Sequence, residues 1–100
     1  KKRIEKEIAM QFIYPAVFSQ NEDGTYKGYF PDLEQCFAKG DTINEVLNSA
    51  IEEARTWIQV ELEDTFELPP VSHPEDIDLK EGEFIRNIAV TIRLFDGWDE

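Results

Sequence analysis

The sequence predicts an α+β domain: a three-stranded antiparallel meander, one long helix, and a fourth strand beside the first, in spatial order 3-2-1-4. Three observations carry that reading. Apolar residues follow strand spacing near both ends of the chain. Turn-forming groups at Asn21–Gly24, Pro31–Asp32 and Gly40–Asp41 divide the first forty residues into short segments. A broad apolar stripe at helical spacing then runs from Ile43 to Leu62.

The first strand is expected from about Phe12 to Ser19, with Phe12, Tyr14, Ala16 and Phe18 on one face. Ile13, Pro15, Val17 and Ser19 take the other. Pro15 has no backbone N–H, so pairing on one side should be interrupted there. Asn21-Glu22-Asp23-Gly24 reads as a hairpin turn, with Gly24 supplying the positive φ. The returning strand spans Thr25 to Phe30. Gly28 at its middle leaves space for an aromatic ring from a neighbouring element. Pro31-Asp32 ends it, and Cys36 to Lys39 forms a short third strand.

Thr42-Ile43-Asn44-Glu45 is a capping box: the threonine hydroxyl accepts from the Glu45 amide while the glutamate reaches back. The helix should run to about Asp64, its apolar stripe against the sheet and Glu45, Glu52, Glu53, Gln59 and Glu63 on the opposite side. Pro69-Pro70 and His73-Pro74 enforce an extended connection, with one helical turn near Pro74 to Ile77. Phe84 to Phe95 is the last strand, with Ile88, Val90, Ile92 and Leu94 on one face. A crossover from the meander to a parallel strand would be right-handed. One helix covers only one face of four strands, so Tyr14, Tyr29 and Phe37 are expected near a second face that a partner partly buries. Residues 1–11 read as a charged tail, 12–95 as the domain, and 96–100 as an acidic tail.

The 100 residues include 22 acidic and 10 basic side chains, a net charge of −12, and four of the basic ones fall in the first six positions. Phosphate binding needs clustered Lys and Arg, so the main surface is unsuited to nucleic acid and suited to a basic protein. The single cysteine forms no internal disulfide, which fits the cytoplasm. No apolar run approaches the roughly 20 residues that span a bilayer.

Tyr14-Pro15-Ala16-Val17-Phe18, the Asp23-Gly24 turn, Phe30-Pro31-Asp32-Leu33 with Cys36, and Gly40-Asp41-Thr42 with Glu45 resemble the HicB antitoxin family, in order and spacing, over about residues 13 to 95. The resemblance implies a partial RNase H-like domain. It also implies a HicB-like antitoxin that binds and neutralises a small basic HicA-type toxin, an enzyme that cleaves mRNA. Two departures stand out. Glu34-Gln35 occupies a place where the family often has Pro-Gly. The sequence also ends soon after the last strand, so the C-terminal DNA-binding segment of many members is not expected here.

Catalysis is not expected. Two-metal nuclease chemistry needs convergent carboxylates, and residues 12–20 contain none. His73 reads as an exposed loop residue, Cys36 as a small buried hydrophobe, Trp57 as core, and Trp98 as a possible interface anchor. No cofactor or metal site is expected. The candidate partner-binding residues are Tyr29, Asp32, Glu45, Glu52 and Glu53, with Arg86 and Arg93 available to pair across an interface or to decorate the sheet. A homo-oligomer is expected because one sheet face and one edge are uncovered. The alternative reading is an RNA- or nucleic-acid-binding or processing protein with an RNase H-like domain.

Overall fold

The computed structural model describes residues 7–64 and 67–95. It contains strands β1 (Glu7–Gln20), β2 (Tyr26–Tyr29) and β3 (Phe37–Gly40), helix α1 (Ile43–Asp64), a 3₁₀ turn at Pro74–Asp76, and strand β4 (Phe84–Phe95). They form one sheet in the order β3-β2-β1-β4. All neighbours are antiparallel, so β4 also runs opposite to β3, and the handedness rule for parallel crossovers does not apply.

β1 starts at Glu7, five residues before the expected boundary and inside the segment read as a tail. The cause is β4, whose twelve residues pair continuously with Glu7–Phe18. Met10 and Phe12 continue the even-numbered alternation of Tyr14, Ala16 and Phe18, and that continuity signals the longer strand. Residues 1–6 and 96–100, including Trp98, lie outside the described residues.

One row of the sheet fixes its register. Ala38, Gly28, Phe18 and Phe84 are mutual neighbours across β3, β2, β1 and β4. The Phe18 ring lies over Gly28: a Cβ built there would stand 2.5 Å from Phe18 Cδ1 and 2.6 Å from Cε1. On its other side Phe18 stacks on Phe84, with centroids 5.7 Å apart. The hairpin joining β1 to β2 is closed by the Asn21 N–H donating to Thr25 O at 2.7 Å and by Gly24 at φ +92°.

Hydrogen bonds beside the strands reveal which backbone groups face which way. Asn21 donates across to Thr25, and the Phe30 N–H donates to Cys36 O at 3.2 Å. Alternation then turns the odd-numbered amides of β1 toward β2 and the even-numbered ones toward β4. On β3 the outward groups are those of Phe37 and Lys39, and the Lys39 N–H donates outward to Ser49 Oγ at 3.2 Å. Pro15 falls on the side of β1 where β2 pairing has stopped at Val17, so its missing donor interrupts no ladder.

α1 lies on the even-numbered side. Val46, Ala50, Ala54, Ile58 and Leu62 form its buried stripe and pack with Tyr14, Ala16, Phe18, Ile88, Val90 and Ile92. Thr42 caps the helix by accepting the Glu45 N–H at 3.1 Å, while Glu45 Oε1 accepts the Asp41 N–H at 2.9 Å. The glutamate therefore reaches one residue further back than in the standard capping box.

Replacing Gly28 by alanine forces a methyl group into the Phe18 ring. The Gly28→Ala variant should lose about 1–3 kcal/mol of stability, read as a lowered urea midpoint with an unchanged slope.

Candidate functional site

Two solvent-facing surfaces and one internal clasp contain the candidate residues. The first surface is the odd-numbered face of the sheet. Tyr29 and Phe37 are direct neighbours there, and Phe37 is 64% exposed. With Val17, Ser19, Lys27 and Glu83 they line a cleft of about 310 Å³. Ile13, 46% exposed, extends the apolar area along β1, whereas Pro15 and Val17 are buried on the same face. Tyr14, also expected near this face, instead points into the core on the helix side.

The second surface is the outer side of α1. Glu45, Glu52 and Glu53 are all exposed. Glu45 and Glu52 stand seven residues apart, almost two full turns, so they share one azimuth, with Glu53 one step round. Glu52 pairs with Arg55 at 3.1 Å, an exposed contact of small energetic value. Tyr29 and these glutamates occupy opposite sides of the domain, so no single flat contact unites all five sequence candidates.

Asp32 belongs to neither surface. Its carboxylate accepts the Ser72 N–H at 2.8 Å and the Ser72 hydroxyl at 2.5 Å. Nearby, the Tyr14 hydroxyl donates to Pro69 O at 2.6 Å. These bonds fasten the connection between α1 and β4 to the corner after β2, through Asp32, and to β1, through Tyr14. Burial, with the Asp32 carboxylate adding to it, raises the Tyr14 pKa above 10.0. Sequence reasoning missed the clasp because its partners are 40 and 55 residues apart. The only local signal was a polar Ser72 within a proline-rich stretch.

The corner itself is Pro31 to Cys36. The Leu33 N–H donates to Phe30 O and the Cys36 N–H to Leu33 O. Trp57 lies at the margin of the core and donates its indole N–H to Glu34 O at 2.9 Å, holding the corner against α1. Gln35 adopts φ +60°, the left-handed conformation that glycine takes without strain. The departure from Pro-Gly thus places a side-chain-bearing residue where the backbone favours glycine. Cys36 is buried, and burial assisted by the Glu53 carboxylate pushes its thiol from 9.0 up to about 11. Such a thiol remains protonated and acts as a packing group. His73 is exposed in the connection. Arg86 lies over the Phe84 ring at 5.2 Å and donates to Ile85 O.

Among the described residues, no group of three or more His, Cys, Asp or Glu side chains is placed to hold a metal ion. No helix among them is long and apolar enough to cross a membrane.

The geometry defines an acidic α+β domain with one helix face and one sheet face turned to solvent. Residues 14–94 match the family model described as the HicB_like antitoxin of bacterial toxin-antitoxin system, and the chain belongs to that family. A chain in a solved structure described as the "HicA3 and HicB3 toxin-antitoxin complex" is 30% identical, with a TM-score of 0.60. The match covers 79% of this chain and 95% of that one. No curated protein matches.

Two outcomes follow from the corner. The Gln35→Gly variant should gain about 0.5–1 kcal/mol, the relief of the left-handed strain less the greater entropy of an unfolded glycine, read as a raised urea midpoint. Cys36 and Tyr14 both have folded pKa values above their ordinary ones, so the unfolded chain loses these protons first. Stability should therefore be full below pH 9.0 and fall as the pH rises through about 11. Denaturant titrations at several alkaline pH values check this, and Cys36→Ala should flatten the decline.

Proposed function

We propose that this HicB-like domain neutralises a small basic HicA-type toxin in the cytoplasm by covering the toxin's RNA-binding surface. The observation that carries the reading is the exposed acidic face of α1 at Glu45, Glu52 and Glu53, on a family member with a net charge of −12. The related chain in the HicA3 and HicB3 complex supports a partner of that class. An acidic surface accelerates the approach of a basic partner and aligns it before close contact. The mechanism is occupation: carboxylates pair with the Lys and Arg that would otherwise grip RNA phosphates, while the helix bulk blocks access. Tyr29 and Phe37, on the other side of the domain, are available for a second contact. Asp32 contributes by holding the connection in place.

The test uses the purified chain and the small basic protein encoded beside it. Wild type should bind tightly and abolish RNA cleavage. The double charge reversal Glu52→Lys and Glu53→Lys leaves the capping glutamate and the core untouched. It should slow association about tenfold at low salt, with a much smaller effect at high salt. Unchanged association at both salt levels would contradict the proposal, as would tight RNA binding by the purified chain alone.

A further inference from the structure

We propose that two copies of this chain pair antiparallel through their β4 edges, about a dyad at Ala89, to make one continuous eight-stranded sheet. The inference begins with the contrast between the two ends of the sheet. β3 is an edge of four residues, and Ser49 occupies its outward Lys39 amide. β4 ends the sheet on the other side with twelve residues, and residues 84–95 contain no Pro, Gly, Lys, Asp or Glu. A long edge whose only charges, Arg86 and Arg93, stand toward its two ends is a template for another strand.

The register assigns the groups on that edge. Even-numbered β4 residues bond to β1, so the backbone N–H and C=O groups of Ile85, Asn87, Ala89, Thr91 and Arg93 point outward. In a symmetric pair these odd-numbered residues must face one another, which requires the dyad to pass through a residue and not between two. A midpoint between Ala89 and Val90, which would set Arg86 against Arg93 of the other copy, is thereby excluded. A dyad at Ala89 matches Ala89 with itself, Asn87 with Thr91, and Ile85 with Arg93. It aligns β4 over nearly its whole length and forms about ten backbone hydrogen bonds, two of which require the Ile85 C=O of each copy to exchange its contact from the Arg86 guanidinium for the facing strand. Small and polar side chains meet at the centre, and the arginines are staggered.

Charge selects a second copy as the occupant. Two chains of net charge −12 repel, and they can approach most closely along a segment that has arginines and no acids. The same segment has the wrong sign for a basic partner, which the helix face attracts. Pairing here leaves both α1 faces free, since the helices lie on one side of the joined sheet and their acidic surfaces face away from it. The other open stretch, on β1 below Pro15, is shorter and adjoins the clasped connection.

Sedimentation of the full chain without any partner tests the proposal. Wild type should sediment at twice the chain mass. Ala89→Pro removes one outward donor without touching the β1 ladder, and should sediment at a single chain mass with unchanged circular dichroism. Thr91→Glu, which places an acid on the edge of an acidic chain, provides a second variant if the proline disturbs folding, and should raise the dimer dissociation constant at least tenfold. A monomeric wild type overturns the proposal. So does a dimer that persists in both folded variants, which would place the contact on β1 or on the apolar sheet face. Both readouts are independent of toxin binding.

Discussion

The Phe18 ring over Gly28 is the contact on which the rest of the architecture depends. It accommodates a full aromatic ring between two strands only because β2 has no side chain at that point. It also locks the β1–β2 register, and a sheet with one covered face tolerates no slip of one residue. Such a slip would turn Tyr14, Ala16 and Phe18 to the open face and place Pro15 and Val17 under the helix. Phe84 completes the row from β4 and extends the same choice of face across the sheet.

The surfaces follow from that choice. Even-numbered strand residues meet α1, which leaves Tyr29, Phe37 and Ile13 on the opposite face and turns the glutamates of the helix outward. The chain must then return from the end of α1 to the start of β4 with only the 3₁₀ turn at Pro74–Asp76 as regular structure among its described residues. Two polar contacts, Asp32 with Ser72 at the corner after β2 and Tyr14 of β1 with Pro69, guide it. The same corner is fixed to the helix by Trp57. A short strand-turn-strand segment thus joins three parts of the domain, and its reactive-looking Asp32 and Cys36 serve structure.

Much of this was legible in the sequence because it is local. The Asn21–Gly24 turn, the Thr42 cap and the stripe from Val46 to Leu62 each depend on residues within a turn or two of one another. The role of Gly28 could be anticipated because a glycine inside a strand needs a reason. The extent of β1 was harder to read because a run rich in charge, residues 1–7, leads directly into it, while its pairing is dictated by β4, at the far end of the sequence. The clasp was invisible for the same reason. Of the five candidate binding residues, the three glutamates share the outer side of one helix and Tyr29 lies on the sheet. Asp32, with a carboxylate available for binding by composition alone, is engaged internally with Ser72.

The central claim is that the Phe18–Gly28 register sets the direction of every backbone group in the sheet. Amide hydrogen exchange read residue by residue along β4, at concentrations low enough to keep the chain monomeric, tests it most directly. The account predicts slow exchange at Arg86, Ile88, Val90 and Ile92, whose amides bond to β1, and fast exchange at Asn87, Ala89 and Thr91. The reverse alternation, or uniform protection along the strand, would contradict it.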